Sequence, residues 1–367
     1  MNTRGRVLVA MSGGVDSSVA ACLLKEQGFE VVGVFMRLGP ENVLPPLTDH
    51  SEKHRGCCSI VDAGDARAVA ATLQIPFYVL NFEKEFSRLI DYFADEYAAA
   101  RTPNPCIICN QLLKFGRLVE YAEAVDADRI ATGHYARIGL DGDTVTLRRA
   151  RYRAKDQSYV LFGITPDVLC RTTFPLGELT KEEVRACARR FNLALHDKPE
   201  SQDICFVPDG DYARVVRSRR PDAFRAGRIR HIDGRDLGPH DGLANFTIGQ
   251  RRGLRVAMGS PMYVVDLDAE TGTVTIGPRE AILSETATAE RMTWLGPTPA
   301  SPFRADAQIR YNHTAAPATV TALPDATVGV RFDEPQPAVT PGQALVLYCD
   351  DQVLGGGWIT RERKPPP

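Results

Sequence analysis

The sequence has no long hydrophobic run. Across its 367 residues the apolar stretches are short, and the first, in MNTRGRVLVAMSGGVD, is broken by glycines and an aspartate before it could span a bilayer or act as a secretory h-region. Nothing in the sequence demands a membrane, and a cytoplasmic protein is expected. Neither sign of charge is in excess, since 44 basic residues face 46 acidic ones. No internal repeat is visible. The nine cysteines lack the regular spacing of a secreted disulfide framework. One Cys-x-x-Cys, Cys106 to Cys109, has neither a second such pair nor paired histidines to complete a zinc knuckle. Nor does the glycine loop near the N-terminus end in Gly-Lys-Ser/Thr, which excludes the P-loop route to γ-phosphate transfer.

What is present is ordinary in amount and informative in order. A content of 44% hydrophobic and 25% charged residues suits a soluble chain long enough for two or three domains. Strand signals at Arg6–Ala10, Glu30–Arg37 and Pro76–Phe82 alternate with helical periods at Ser17–Gln27, Asp62–Gln74 and Glu83–Ala100. A loop carrying Cys106 and Cys109 is expected to run into a helix over Asn110–Val125, followed by the strand-like RIATGHY. Alternation of this kind predicts an α/β fold with a doubly wound parallel sheet, because each parallel crossover needs a covering helix. Beyond about Phe206 the segments MYVVDLD, TVTIG, MTWLG, ATVTAL, TVGVRF and ALVLYC are short, β-branched and separated by Gly, Pro and Asp. Three domains are expected: a catalytic sheet over residues 1–211, a small middle domain over 212–282 and a C-terminal β-barrel over 283–361, with 362–367 as a tail.

Charge is unevenly placed. Between Arg214 and Arg230 seven arginines face one aspartate, a window of +6 in a chain of net charge −2. Arg148, Arg149, Arg151, Arg153 and Lys155 form a second cluster. Such stripes suit a phosphate-backbone partner, with a solvated, salt-bridged surface as the competing reading.

MSGGVDSS follows the first strand and opens the first helix, where unpaired backbone N–H groups and the helix dipole favour an anion. Gly13 and Gly14 allow close backbone approach, Ser12, Ser17 and Ser18 add hydroxyl donors, and Asp16 can hold Mg2+ against phosphates. A turn that bound nothing would require neither the aspartate nor the serines. SGGVDSS resembles the pyrophosphate loop of the N-type ATP pyrophosphatases, which adenylate a carbonyl-type oxygen. That superfamily includes amidotransferases and ligases on small acceptors as well as tRNA sulfurtransferases. An amine acceptor needs no thiol, whereas sulfur insertion uses a persulfide and a second cysteine to release its sulfur. Cys106, Cys109 and Cys205 are read as lying in loops, while Cys22 and Cys187 sit on amphipathic helical segments and are read as packing residues.

With TPNPCIICN and its KFG, ATGHYAR, KDQSYVLF, SQDICF and GLANFTIGQRRGL added, the chain resembles the tRNA-specific 2-thiouridylases, which thiolate the wobble uridine of certain tRNAs. The resemblance implies ATP contacts at Ala10, Met11, Ser12, Gly13, Gly14, Val15, Asp16, Ser17, Met36 and Gly133. It implies that the middle domain over 212–282 and the terminal domain help to grip tRNA, with contacts at His134, Lys155, Asp156, Gln157, Arg310, Tyr311 and Gln343 and with Asn104, Pro105 and Cys106 against the target base. Cys205 would carry the persulfide, and Cys109 would be its catalytic partner. Implied partners are tRNA and a sulfur donor such as a cysteine desulfurase or a sulfur relay protein, with no role for DNA. Some members carry Asp where this chain has Cys106. A 4Fe-4S iron-sulfur cluster on Cys106, Cys109 and Cys205 is therefore the alternative to a persulfide relay. An RNA-binding iron-sulfur sensor with a relic ATP loop ranks below both, because the loop keeps Asp16 and its glycines.

Overall fold

A computed structural model describes residues 4–39, 60–198, 204–207 and 209–361. Cys57 and Cys58 lie outside the described residues. Two compact units form: Met1–Leu89, Cys106–Gly210 and Asp351–Val353 build one, and Ile90–Pro105, Asp211–Asp350 and Leu354–Pro367 the other.

The first unit is built on strands β1 (Arg6–Ala10), β2 (Glu30–Arg37), β3 (Phe77–Asn81), β4 (Arg129–Thr132) and β7 (Thr172–Thr173). They pair in parallel in the order β3-β2-β1-β4-β7. Four of the five residues of RVLVA are buried, as expected for a parallel strand covered on both faces. The helices are α1 (Val15–Glu26), α2 (Ile60–Thr72), α3 (Glu83–Ala98), α4 (Pro105–Cys109), α5 (Leu118–Ala124), α6 (Pro166–Cys170) and α7 (Lys181–Arg190), with a hairpin of β5 (Ala136–Asp141) and β6 (Thr144–Arg149) after β4. Val7, Val9, Val19, Leu24 and Phe35 form the sheet–helix core, joined by Val184 and Ala188 of α7.

The parallel sheet stands as expected, but the segment after α3 does not form a loop. Cys106 and Cys109 lie in α4, which Pro105 opens. Proline is tolerated at a first helical position, where its missing N–H costs nothing, so TPNP starts a helix here instead of preventing one. Ile107, Asn110 and Leu113 then fall on one buried side. The expected helix over Asn110–Val125 begins as a π-helical stretch, Asn110–Arg117. Gly116 fits this widened turn, since a Cβ there would come within 2.9 Å of the Gln111 carbonyl oxygen.

In the second unit the arginine-rich window opens with a short helix, α8 (Tyr212–Arg219), which the all-β texture did not announce. Strands β8 (Gly227–His231), β9 (Asp236–His240), β10 (Tyr263–Asp268) and β11 (Thr273–Gly277) form a four-stranded sheet of order β10-β11-β8-β9. Its core includes Ile229, Phe246, Leu254, Val264 and Ile276. A closed barrel follows: β12 (Leu283–Trp294), β13 (Phe303–Gln308), β14 (Ala316–Leu323), β15 (Thr327–Pro337), β16 (Ala344–Cys349) and β17 (Gln352–Ile359) run in the order β12-β15-β14-β13-β16-β17, and β12 pairs back onto β17. Closure leaves no strand edge unpaired.

Candidate active site

In an open parallel sheet, ligands bind beyond the carboxyl ends of the strands where the strand order reverses. Here that point lies between β1 and β4. Ala10 is level with Val34 of β2 and Thr132 of β4, so the loop after β1, the end of β2 at Met36 and Gly133 after β4 all emerge at the same edge. Gly133 is required there: a Cβ would sit 2.6 Å from the Ser17 nitrogen and 2.8 Å from the Asp16 carbonyl carbon. Gly13 is equally constrained, with φ of +71° and only 2.2 Å from an added Cβ to the Asp62 carbonyl oxygen.

Helix α1 starts at Gly14 with no side-chain cap. Its first N–H groups are therefore open to an anion, as the dipole favours. Ser17 turns inward instead, accepting from the Ser12 backbone nitrogen at 3.0 Å and donating to the Gly14 carbonyl at 3.2 Å. Ser18 donates to the same carbonyl at 2.9 Å. Ser12 is the exposed hydroxyl of the loop. One oxygen of Asp16, Oδ1, accepts from Lys181 Nζ at 2.7 Å and from the Tyr135 hydroxyl at 2.8 Å. No described residue bonds its other oxygen. A single carboxylate with one open oxygen, beside a hydroxyl and an anion site, suits a hard cation that takes its remaining oxygens from phosphate and water.

The sequence around Lys181 explains its placement. Thr180 and Glu183 form a capping box that starts α7, which fixes Lys181 at the first helical position. A second lysine closes the loop from the other side. Lys198 Nζ donates to the Gly13 carbonyl at 2.9 Å and to Asp62 and Asp65 at 2.6 Å each. All three of its protons are engaged. Burial works against its charge, but the two carboxylates outweigh that and hold its pKa above the ordinary lysine value.

Gln157 ties the KDQS segment to the same network, accepting from the Tyr135 backbone nitrogen at 2.9 Å. Asp156 faces inward, accepting from the Ala150 and Ser158 nitrogens at 2.8 and 3.2 Å and from the Ser158 hydroxyl at 2.8 Å. Lys155 ends a short 3-10 turn, Arg153–Lys155. His134 is buried, with Thr132 Oγ1 2.7 Å from its Nδ1 and Lys114 Nζ 3.4 Å from its Nε2. Because the ammonium can only donate, Nε2 accepts and Nδ1 carries the proton. Burial first, and the Lys114 charge second, hold this imidazole well below its ordinary pKa.

Of the three chemical cysteines, Cys106 is exposed, Cys109 buried and Cys205 half-buried. Among the described residues no three His, Cys, Asp or Glu side chains come together as a metal site. The alternative three-cysteine ligand set is therefore not assembled among the described residues. Cys22 is a packing residue as expected: burial, then neighbouring Cys187, pushes its thiol up to about 12.

Three family descriptions match in register with these parts: "tRNA methyl transferase HUP domain" over residues 5–209, "tRNA methyl transferase PRC-barrel domain" over 216–278 and "Aminomethyltransferase beta-barrel domain" over 284–359. The chain is 49% identical over 366 residues to the tRNA-specific 2-thiouridylase MnmA of Geotalea uraniireducens, spanning 98% of this chain and 96% of that one. It is 50% identical over 363 residues to the protein of the same name from Carboxydothermus hydrogenoformans, with 98% of each chain covered. A third, from Geobacter metallireducens, is 50% identical over 358 residues and 97% of each chain. The chain belongs to the tRNA-specific 2-thiouridylase family.

The residues expected from the resemblance to touch RNA are spread more widely along the chain than those of the loop. Arg310, Tyr311 and Gln343 belong to the second unit. Gln308 Nε2 donates to the Arg310 and Tyr311 carbonyls at 3.2 and 2.9 Å, which leaves Tyr311 exposed on its turn. Gln343 Nε2 donates to the Thr102 carbonyl at 2.9 Å and thereby holds the chain just ahead of Asn104. Beside Cys109, Asn110 is buried and donates to the Val160 carbonyl at 2.9 Å, while its Oδ1 finds no partner. Sequence reading did not single out Tyr135, Lys181, Lys198, Asp62 or Lys114. The capping box Thr180-x-x-Glu183 is the signal that could have located Lys181; Lys198 has none.

Proposed function

We propose that this protein is an ATP-dependent tRNA sulfurtransferase that replaces the C2 oxygen of the wobble uridine with sulfur. The observation that carries the reading is the uncapped SGGVDSS loop at the switch point, with Asp16 positioned by Lys181 and Tyr135, in a chain that also holds Cys109 and Cys205. The family descriptions speak of methyl transfer and the relatives of thiolation. A pyrophosphate-type loop is what adenylation ahead of thiolation requires, and methyl transfer from a sulfonium donor has no use for it.

On this reading the N–H groups at the start of α1 and the Ser12 hydroxyl hold the triphosphate, near Ala10, Met11, Gly13, Gly14, Val15, Ser17, Met36 and Gly133. Asp16 would hold Mg2+, which neutralises charge on the departing pyrophosphate. The C2 carbonyl is a weak electrophile because two ring nitrogens donate into it. Its oxygen attacks the α-phosphorus and pyrophosphate leaves. The terminal sulfur of a Cys205 persulfide then attacks C2, and AMP departs with the former C2 oxygen. The Cys109 thiolate attacks the Cys205 sulfur, releasing the new thiocarbonyl and forming a Cys109–Cys205 disulfide, which an external dithiol reduces. Asn104, Pro105 and Cys106 would face the base, and His134, Lys155, Asp156, Gln157, Arg310, Tyr311 and Gln343 would line the tRNA path. Domain limits near 211 and 282, a protein sulfur donor and a cytoplasmic location complete the proposal. None of the described helices is long and apolar enough to cross a membrane. The cysteine geometry does not support a 4Fe-4S site, so no step is routed through one.

The test is an anaerobic incubation of purified protein with unmodified tRNA, ATP, Mg2+, a dithiol and a persulfide donor, namely a cysteine desulfurase with cysteine, which supplies sulfur already at the oxidation level that Cys205 must carry. Sulfur in the wobble uridine, with one AMP and one pyrophosphate released per sulfur, is expected. Pyrophosphate release without sulfur transfer would reassign the chain to another acceptor. Brown colour, bound iron and loss of turnover on chelation would restore the cluster.

A further inference from the structure

The KFG run after the Cys-x-x-Cys takes no part in the thiolation steps above, yet its lysine stands among the groups that perform them. Lys114 lies in the π-helical stretch Asn110–Arg117, which continues directly from the helix ending at Cys109. Widened turns of this kind occur mostly at functional sites. The stretch is fixed on its inner side, where Asn110 Nδ2 donates to the Val160 carbonyl at 2.9 Å and Leu113 and Phe115 are buried. Lys114 itself is half-buried, and its ammonium donates to His134 Nε2 at 3.4 Å. Among the described residues no carboxylate pairs with it. The imidazole it touches is neutral, held so by burial and then by the lysine's own charge. Lys181 and Lys198, by contrast, direct their charge onto Asp16, Asp62 and Asp65.

Four consecutive residues at the end of β4 tie this cation to the nucleotide loop. Thr132 Oγ1 lies 2.7 Å from His134 Nδ1 and sets the ring. Gly133 seats against the start of α1, His134 accepts from Lys114, and Tyr135 donates to Asp16. The anion site, the carboxylate suited to Mg2+ and the Lys114 ammonium are therefore held by one short segment at the carboxyl edge of the sheet. The imidazole packs against Phe115 and Phe174, with ring centroids 6.1 and 6.2 Å away, so its side of the ammonium is apolar and screens the charge weakly. An ammonium given only a neutral acceptor keeps its attraction for an anion, and a charge-assisted bond to one is the stronger contact. Which anion follows from the reaction. The β- and γ-phosphates belong to the N–H groups of α1 and to Asp16. The α-phosphorus, the C2 oxygen and the attacking sulfur must come within bonding reach of one another. A cation five residues from Cys109, about one turn where bonds run from i to i+5, belongs at the α-phosphate end.

We propose that Lys114 is a catalytic residue whose ammonium binds the α-phosphate of ATP and, once pyrophosphate has left, the AMP group carried on the C2 oxygen. This deepens the thiolation reading and rests on it. Lys114 moves no proton. It stays charged while the bond from the C2 oxygen to phosphorus forms and the bond from phosphorus to pyrophosphate breaks, and again while the C2–oxygen bond breaks to release AMP. The test combines single-turnover pyrophosphate release with tRNA binding across a salt series, for the full-length protein, Lys114→Met and Lys114→Arg, each with a thermal melt. Lys114→Met is expected to melt like the parent, to release pyrophosphate about 10²-fold more slowly at saturating ATP and tRNA, and to keep the parental tRNA affinity and salt slope. Lys114→Arg, which keeps the charge, should recover most of the rate. The contact itself is read with the α-phosphorothioate of ATP, which should slow the parent and slow Lys114→Met much less, because the variant has no contact left to lose. Equal thio effects in the two proteins, or a parental rate in Lys114→Met, would overturn the assignment. So would weaker tRNA binding with a salt slope shallower by about 1 and an unchanged rate at saturating tRNA, because Lys114 would then hold an RNA phosphate. No tRNA-dependent pyrophosphate release by the parent would sink the thiolation reading together with the role of Lys114. Should Lys114→Met melt early, Lys114→Gln, which still offers His134 a donor but no charge, must show the same slowing, and its failure to do so overturns the proposal.

Discussion

The nucleotide loop of the first unit and the Arg251–Arg255 loop of the second treat charge in opposite ways. Both lysines that close the first have anions: Lys181 sits on Asp16, and Lys198 sits on Asp62 and Asp65 with its third proton on the Gly13 carbonyl. In the second, the Arg251–Arg255 stretch has no acid at all within its loop. Matched charges set positions, because each partner fixes the other and little net field is left over. Unmatched charges set affinity, because their field is still available to an incoming polyanion. Changes in the first unit should therefore act on turnover in an all-or-none manner, and changes in the second should act on binding by salt-dependent increments.

The sharpest form of this contrast lies in the cysteines and Asp16. Cys109→Ser or Cys205→Ser should stop thiolation while leaving tRNA affinity and its salt slope unchanged, whereas Cys106→Ser should retain turnover. Rapid-quench assays of sulfur transfer beside tRNA binding would show it. If Cys106→Ser were as inactive as the other two, the one-thiol-and-partner scheme would fail. Asp16→Asn should lower kcat by about 10²-fold or more, as removal of a transition-state electrostatic group does. If it left kcat intact, Asp16 would be only a structural acceptor for Lys181 and Tyr135.

Lys198 is the next step down. Replacing it with Met leaves Asp62 and Asp65 facing each other without their shared cation and releases the Gly13 carbonyl. Because the lysine is partly exposed, water recovers some of the loss. A destabilisation of about 1–2 kcal/mol is expected in thermal unfolding, accompanied by a raised KM for ATP. A raised KM with an unchanged melting temperature would mean that the clamp acts only on the loop.

Much of the first unit was legible from sequence, because hydrophobic period and glycine placement are local signals. The limits of β1 and β2 coincide with those read from RVLVA and EVVGVFMR. Cys106 and Cys109 were expected in a loop, whereas Pro105 stands as the first residue of α4, where proline starts a helix. The charge clamp was invisible for a different reason. Asp62 and Lys198 are 136 residues apart, and nothing local distinguishes either from a solvated surface charge. The arginine window shows the converse failure. Its density could be counted, but its partners Asp91 and Asp95 lie on a helix more than a hundred residues earlier in the chain.

Removing an acid that pairs with that window tests the same point from the other side. Asp236→Asn frees Arg228 from its bidentate partner, with nitrogen–oxygen distances of 2.7 and 2.6 Å in the parent. Affinity for tRNA should rise by up to about threefold, with a salt slope steeper by less than about 1. No change would mean that Arg228 lies off the RNA path even when its charge is released.

A further effect belongs to a charge the first unit excludes. His134 is neutral in the folded protein because burial and Lys114 both disfavour its proton. Its folded pKa therefore lies below the ordinary imidazole value of 6.5, while the unfolded chain titrates near that value. Between the two pKa values the unfolded state binds the additional proton. Stability is thus complete above pH 6.5 and falls as the pH drops below it, by up to about 1.4 kcal/mol per pH unit until the folded pKa is reached. Melting temperatures followed from pH 8 to pH 5 should show this loss in the parent, and His134→Asn should flatten it. If the two proteins lost stability in parallel, His134 would already be charged in the folded state and the Nδ1-protonated tautomer would be wrong. If the variant alone were flat, exclusion of charge at this position would be the price of packing His134 between Phe115 and Phe174, whose ring centroids lie 6.1 and 6.2 Å away.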